Sequence, residues 1–186
     1  MGRWQPGVRD RLAAAAIELF AERGYEATTV ADIAARAGVT ERTFFRQFAD
    51  KREVLFGDPA EFNGLFVRAI AAAPEGASPL EAAESALDAA GPFFADRRDW
   101  ALRRSAVIAA NPALLEREAV KRAQLTDAIA GALRERGASD AAAALTAELA
   151  VVAFYQAFAR WLVAGEESDL GVLAREVLAE LRALAH

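Results

Sequence analysis

Residues 28–48 read TTVADIAARAGVTERTFFRQF, and this stretch has the layout of two short helices joined by a tight turn. Thr29 caps the first helix, an acid three residues later completes a capping box, and Gly38 ends the helix. Thr40 then caps the second helix. A short capped helix, a glycine turn and a second short helix with an exposed polar face are typical of a helix-turn-helix.

The second of these helices has two different faces. In a helix-turn-helix its N-terminal residues lead into a DNA groove about 12 Å wide, and its bulky residues pack on the first helix. The back face consists of Phe44 and Phe48. The leading residues are Thr40, Glu41, Arg42 and Thr43. A generic corner of a helical bundle would use the same glycine and threonine, so the spacing alone leaves both interpretations open.

The composition predicts an all-α protein. Of the 186 residues 54% are apolar, and alanine, the best helix former, accounts for 48 of them, whereas β-branched residues are few. The chain has no cysteine, and its one histidine is His186. A disulfide framework and a thiolate zinc site are therefore excluded, and neither a histidine-dependent triad, nor a metal site, nor a cofactor is expected.

The formal net charge of −5 argues by itself against a nucleic-acid-binding protein, but the charge is unevenly distributed. Residues 1–56 carry 9 basic and 8 acidic side chains, and residues 57–186 carry 13 and 19. Only the N-terminal part offers a plausible phosphate-facing surface. No targeting pattern is visible, and the most apolar run, 149–164, is shorter than the roughly 20 residues that cross a bilayer. A cytoplasmic protein without membrane contact is therefore expected.

Helix caps and apolar periodicity predict about nine helices along the whole chain. Proline disfavours helical geometry in the residue before it, so a break in the helix is expected at Gly57-Asp58-Pro59. This break either takes part in a conformational switch or is a tolerated kink without a role in switching. The expected helices cover 7–23, the two short segments capped by Thr29 and Thr40, a fourth helix from Asp50 that resumes after the break as 59–73, then 79–90 up to Gly91-Pro92, 97–110, 112–136, 139–164 and 168–184.

Residues 16–55, AIELFAERGYEATTVADIAARAGVTERTFFRQFADKREVL, resemble the N-terminal domain of TetR-family transcriptional regulators without a gap. The resemblance implies a three-helix DNA-binding head, residues 1–49, and a helical regulatory and dimerisation domain, residues 50–186. It also implies the function: a homodimeric regulator of transcription, expected to be a repressor that a small apolar inducer releases from double-stranded DNA.

The resemblance assigns DNA contacts to individual residues. Thr40 and Thr43 lie where such proteins contact phosphate and base, and Lys51 lies where the family uses a lysine against the DNA backbone. Thr29 matches the capped start of the first helix of the motif, whose free N–H groups can face a phosphate.

Two positions depart from the family pattern. Phe45 stands where an aromatic hydroxyl is common, and Gln47 where tyrosine or histidine is common. Since Phe45 cannot donate to a phosphate, Arg46 and Gln47 are expected to supply that anchoring. Arg42, where many relatives have glycine, is our candidate for base reading, because arginine fits guanine O6 and N7 bidentately. The alternatives are a phosphate contact or a salt bridge with Glu41 or Asp50.

The last two helices are the expected dimer surface, because helix 139–164 is apolar nearly all round and must be covered on more than one side. Two such helices per chain give a four-helix interface under two-fold symmetry, as the resemblance also implies. The operator should then be an inverted repeat with half-sites about 34–36 Å apart. The residues expected at this interface are Phe158, Trp161, Leu162, Leu173, Val177 and Leu181.

A ligand cavity is expected where a few polar groups interrupt apolar, aromatic surfaces of the later helices. The arginines favour an anionic or carbonyl-bearing apolar ligand. Alternatively, their stems lie along the core, and Glu84 forms a structural pair with Arg104 or Arg122. The expected lining residues are Phe62, Phe66, Trp100, Arg104, Arg122, Thr126 and Gln156, with Phe93 and Phe94 nearby.

Two other functions compete with a DNA-binding regulator. A helical enzyme could use a carboxylate pair such as Glu116 and Glu118, but it would lack a histidine or cysteine partner. A helical carrier or interaction module could bind a small molecule without DNA. Binding to random duplex that weakens steeply with salt would distinguish a regulator from such a carrier.

Overall fold

The computed structural model describes residues 7–165 and 168–184, and over these ranges it contains nine α-helices, one 3₁₀ turn and no strand. The prediction of an all-α fold is confirmed. The helices are α1 Val8–Arg23, α2 Val30–Arg36, α3 Glu41–Gln47, α4 Pro59–Ala71, α5 Pro79–Phe94, α6 Arg98–Ala109, α7 Pro112–Glu135, α8 Asp140–Val163 and α9 Leu170–Leu184, with the 3₁₀ turn at Arg52–Leu55.

The caps predicted from local sequence form. Thr29 Oγ1 accepts a hydrogen bond from the Asp32 backbone N–H at 3.1 Å, and Asp32 Oδ2 accepts one from the Thr29 N–H at 3.0 Å. The Thr29 hydroxyl also donates to this carboxylate, and these hydrogen bonds lower the pKa of Asp32 because they favour its charged form. α2 is therefore fixed at its first turn by residues within three positions of each other.

The predicted fourth helix is interrupted more completely than the sequence indicated. Only a 3₁₀ turn, Arg52–Leu55, follows Asp50, and Gly57 then adopts a φ of +63°. Asp58 Oδ1 accepts a hydrogen bond from the Ala60 N–H at 2.9 Å and starts α4 at Pro59. The break at Gly57-Asp58-Pro59 is confirmed.

The predicted end of helix 79–90 is wrong, because α5 continues through Pro92 to Phe94. Proline removes only the backbone hydrogen bond to the Asp88 carbonyl, near the end of the helix. Phe94 is buried against Phe154 and Phe158, with ring centroids 6.1 and 5.2 Å apart. Burying a phenylalanine stabilises by about 1.5–3 kcal/mol, which is comparable to the roughly 3 kcal/mol that an interior proline costs.

The chain forms two compact units. The first contains the described part of Met1–Gly57 together with Asp99–Glu118. It extends beyond residue 49 because the 3₁₀ turn, α6 and the start of α7 share one core with the N-terminal helices. The buried residues of this core are Leu12, Ala15, Ala16, Ile17, Leu19, Phe20, Tyr25, Ile33, Phe44, Phe48, Val54, Leu55, Val107, Ile108 and Leu114.

The second unit contains Asp58–Arg98 and the described part of Ala119–His186. In this unit α5 packs against α4, α8 and α9, and α8 packs against α9. α8 is long and apolar enough by length and composition to cross a membrane, but the core helix of a soluble protein passes the same test. One face of α8, from Ala143 to Trp161, is buried in the core of this unit, which explains the apolar residues of that face.

Candidate nucleic-acid interface

α2 is held in place by an ion-pair cluster on the surface of the first unit. The Arg36 guanidinium donates to Glu18 at 3.2 Å and to Glu22 at 2.9 Å, so one side chain of α2 bridges two carboxylates of α1. The hydrogen bond from Arg36 lowers the pKa of Glu22. These groups are exposed, so the cluster orients α2 more than it stabilises the fold.

α3 has a buried back face and an exposed front face, as the motif predicts. Phe44 is fully buried, and its ring centroid lies 5.4 Å from that of Phe48. At the N-terminus the Thr43 N–H donates to Thr40 Oγ1 at 3.2 Å, and the two threonine hydroxyls are 3.1 Å apart. The threonine that caps α3 therefore also places Thr43 beside it.

The front face of α3 carries two exposed arginines, Arg42 and Arg46. Within residues 7–165 and 168–184 neither forms a salt bridge or a side-chain hydrogen bond. The alternative of an Arg42–Asp50 salt bridge does not form, because Asp50 pairs with Arg52 at 2.8 Å. Two guanidinium groups are thus available on this face.

Phe45 also lies on the exposed side of α3, with 55% of its surface accessible. Its ring meets Phe44 edge-on, with the centroids 5.5 Å apart. Gln47 is half-buried, and its backbone carbonyl accepts a hydrogen bond from Arg9 at 2.8 Å. The structure thus places an apolar ring beside the two free arginines.

Lys51 makes contacts that the sequence did not predict. Its Nζ donates to the carbonyls of Tyr25 and Thr28 at 2.7 and 2.9 Å and lies 4.1 Å from the centroid of the Tyr25 ring. Burial raises the pKa of Tyr25, so the ring stays a neutral phenol under the ammonium group. Lys51 thus anchors the loop that leads to α2, and its contact with DNA stays a prediction.

The expected ligand residues are divided between the two units. Trp100 and Arg104 belong to the first unit, whereas the other five belong to the second. Arg104 donates to the Leu55 carbonyl at 2.7 Å and forms a salt bridge with Glu118 at 3.3 Å. It therefore forms a structural ion pair, as the alternative interpretation predicts, but with Glu118 in place of Glu84. Glu84 pairs instead with Arg182 at 3.0 Å.

In the second unit the expected aromatic walls pack against each other. The Phe62 ring centroid lies 5.3 Å from that of Phe66 and 5.6 Å from those of Phe93 and Phe154. The Arg122 guanidinium lies 3.7 Å from the Tyr155 ring centroid. Thr126 is half-buried, and both Arg122 and Gln156 are exposed.

A small cavity of about 170 Å³ lies elsewhere in the second unit, and none of the seven expected ligand residues lines it. Arg98 fills one side and donates to the carbonyls of Leu162, Ala164 and Gly165 at the end of α8. The cavity is lined by Gly91, Ala95, Arg98, Trp161, Ser168, Asp169 and Leu170.

The expected dimer residues are largely covered inside the chain. Trp161 and Val177 are each only 3% exposed, and the Trp161 indole N–H donates to the Ser168 carbonyl at 3.0 Å. The other four, Phe158, Leu162, Leu173 and Leu181, are half-buried. The exposed apolar residues of α8 are Leu145, Leu149, Val152 and Val163, which share one stripe of the helix.

Comparison with known proteins agrees with the geometry of the first unit. Residues 12–56 match the family described as bacterial regulatory proteins, tetR family. The first unit thus contains a stretch that matches the N-terminal domain of the tetR family. A curated relative, the HTH-type transcriptional regulator TcmR of Streptomyces glaucescens, is 43% identical over 81 residues, which are 44% of this chain and 36% of TcmR. The match thus spans about a third of that relative's length.

Solved structures share the fold over most of the chain. FadR of Thermus thermophilus, a transcriptional repressor solved with lauroyl-CoA, is 26% identical with a TM-score of 0.54, covering 94% of this chain and 93% of that one. FadR of Bacillus subtilis, solved with stearoyl-CoA, is 21% identical with a TM-score of 0.59, covering 92% and 96%. TcmR and FadR of Thermus thermophilus are both transcriptional regulators, which favours a regulator over a carboxylate-pair enzyme.

Proposed function

We propose that this protein is a cytoplasmic transcriptional repressor of the tetR family that binds double-stranded DNA as a homodimer and is released by a small apolar ligand. The observation that carries the proposal is the front face of α3. There, two exposed arginines without partners among the described residues project from a helix whose back face is fully packed. Side chains left free on such a helix are what a groove-reading element requires.

The residues of this face have distinct proposed roles. Arg42, on the first turn, reads guanine through two hydrogen bonds, and Arg46 and Gln47 hold phosphates. Thr29, Thr40 and Thr43 lie at the starts of α2 and α3, and their proposed role is to contact a phosphate there. Phe45 contributes an apolar contact with the DNA.

The exposed stripe of α8 supports the homodimer. Leu145 and Val163 are 67% and 86% exposed, and Leu149 and Val152 lie on the same face between them. A row of large apolar side chains in solvent is unfavourable in a monomer, and a second copy of the chain would cover it. Together with Val172 of α9, this stripe is our revised dimer surface, beside the half-buried residues predicted from sequence.

The aromatic residues of α4, α5 and α8 are the proposed contact surface for an apolar ligand. Phe62, Phe66, Phe93 and Phe154 contact one another in the second unit, so a ligand entering here would separate rings that are now packed together. The two FadR structures contain long acyl-CoA thioesters. We propose that the inducer belongs to the same chemical class, an apolar chain with a carbonyl and an anionic group.

Salt dependence of duplex binding tests the function. We expect the logarithm of the affinity for a fluorescent random-sequence duplex to fall linearly with the logarithm of the salt concentration, because each phosphate contact releases condensed counterions. The double variant Arg42→Ala/Arg46→Ala should have a shallower slope. A folded protein with no detectable binding at low salt would contradict the proposal and favour a carrier without DNA binding.

A further inference from the structure

Arg9 of α1 reaches two backbone carbonyls that are far away in the sequence. Its Nη1 donates to the Gln47 carbonyl at 2.8 Å, and its Nη2 donates to the Gly57 carbonyl at 2.5 Å. The guanidinium carbon lies 4.4 Å from the centroid of the Phe48 ring. One side chain therefore contacts the last residue of α3, the residue after it and the glycine that precedes α4.

Both carbonyls lie at or beside the ends of secondary-structure elements, where backbone hydrogen bonding within the element stops. Gln47 ends α3, and the last carbonyls of a helix have no partner within the helix and carry partial negative charge. Gly57 has a φ of +63° and lies between the 3₁₀ turn and α4. A planar guanidinium can donate to two carbonyls at once, whereas the ammonium of lysine is a single point charge on a flexible stem.

We propose that Arg9 is a positioning residue for DNA recognition, which ties the C-terminal end of α3 to the Gly57 turn and so fixes the orientation of the recognition helix. This inference rests on the proposed function. The end of α3 cannot move relative to Gly57 without breaking a charge-assisted hydrogen bond.

A direct contact between Arg9 and a DNA phosphate is the competing explanation. Arg9 is half-buried, and both of its terminal nitrogens donate to backbone carbonyls, so its guanidinium is oriented toward the protein. Its Nε is buried, and the described part of the chain offers no hydrogen-bond acceptor for it. A buried N–H without a partner destabilises the folded state, so a contribution to stability alone does not explain this arginine. A positioning role for Arg9 and a direct phosphate contact predict different effects of Arg9→Lys, which keeps the charge.

The test compares Arg9→Lys and Arg9→Gln with Arg11→Gln, which removes the same charge from an exposed position on the same helix. Hydrogen exchange of the free protein is measured over residues 44–57. Affinity is measured for a duplex selected by the wild-type protein and for random duplex, each at several salt concentrations. Circular dichroism establishes that each variant is folded, and Arg9→Lys provides a folded variant if Arg9→Gln is unstable.

We expect both Arg9 variants to exchange faster over residues 44–57. We also expect each to lower the ratio of selected to random affinity about tenfold, with the salt slope on random duplex unchanged. Arg11→Gln should leave the exchange and the ratio as in the wild type. The inference is overturned if Arg9→Lys matches the wild type in both measurements, or if both variants lose affinity equally on all duplexes with a shallower slope. A wild-type protein that binds no DNA would overturn the proposed function and this role together, and the exchange data would still show whether Arg9 holds the end of α3.

Discussion

At the scale of single residues, Arg42 carries the proposed sequence reading. Arg42→Ala should lower the affinity for the selected duplex by about 1–3 kcal/mol and relax the preference at one base pair of each half-site. The reason is the loss of two hydrogen bonds to a guanine edge. Competition binding with duplexes altered one base pair at a time measures this effect.

Arg46→Ala is the matched control, since it removes an exposed arginine from the same helix. It should weaken selected and random duplexes alike, because phosphates carry no sequence information. An Arg42→Ala protein whose base preferences equal those of the wild type would remove Arg42 from base reading.

Lys51 is a predicted DNA contact that also donates to two backbone carbonyls of the loop before α2. Lys51→Met leaves the Tyr25 and Thr28 carbonyls without their charged donor, so the free energy of unfolding should fall by about 1–3 kcal/mol. Affinity for all duplexes should fall in parallel, because the loop before α2 loses its anchor. Urea unfolding followed by circular dichroism measures the change, and Lys51→Arg is the control that keeps a donor. Unchanged stability of Lys51→Met would show that the two carbonyl contacts contribute nothing.

Sequence reasoning identified residues whose partners are close along the chain and missed those whose partners are distant. Thr29 and Asp32 are three positions apart, so their reciprocal cap was readable from the sequence. Arg9 bonds to carbonyls 38 and 48 residues away, and nothing in the local sequence signals such a contact. The sequence places Arg104 in a ligand site because it is a polar group among apolar, aromatic residues. Its actual acceptor, the Leu55 carbonyl, is 49 residues away and leaves no local signal.

At the scale of helices, the sequence predicts most helix N-termini correctly, but it does not predict the C-terminus of α5. N-caps are set by a side chain and the N–H groups two or three residues later, so α4, α5 and α8 start within one residue of the predicted positions, capped by Asp58, Ser78 and Ser139. The continuation of α5 past Pro92 depends on the burial of Phe94 in a tertiary cluster. Tertiary packing overrides a local signal there.

Two helical glycines give an opposed pair of predictions. Gly131, inside α7, has no atom within 4 Å of an added Cβ, so Gly131→Ala should stabilise the protein by about 0.5–1 kcal/mol. At Gly171 of α9 an added Cβ would lie 3.2 Å from the Asp88 carbonyl oxygen of α5 and 3.1 Å from Asp169 Oδ1. Gly171→Ala should therefore destabilise by about 1–3 kcal/mol, as overpacking does. Thermal unfolding of both variants measures the difference, and equal shifts would contradict the close approach of α5 and α9.

At the scale of the whole molecule, the proposed homodimer depends on the exposed stripe of α8. Val152→Asp should convert the dimer to a folded monomer and abolish tight operator binding, because one recognition helix alone makes too few contacts. Leu102→Asp is the matched control, since Leu102 of α6 is 40% exposed and Val152 41%. Sedimentation velocity at micromolar concentration distinguishes the two states, and a monomeric wild-type protein would remove the interface.

Trp161→Asp has a different expected outcome from Val152→Asp. Trp161 is buried inside the second unit, so a charge there should unfold or precipitate the protein instead of yielding a folded monomer. The sequence predicted that α8 is covered on more than one side, but it did not show which of its apolar residues face their own chain. A helix that is apolar nearly all round has no periodic signal that separates the two sides.

The proposed function requires that the front face of α3 reads a specific DNA sequence in two symmetric copies. Repeated selection of duplexes from a random-sequence library by the purified protein, followed by sequencing, tests this requirement. We predict enrichment of an inverted repeat with half-site centres about one helical turn apart, roughly 34–36 Å. The Arg42→Ala variant should enrich the same repeat with a relaxed preference at one position of each half-site. A folded wild-type protein that enriches no sequence, or only a single half-site, would contradict the account.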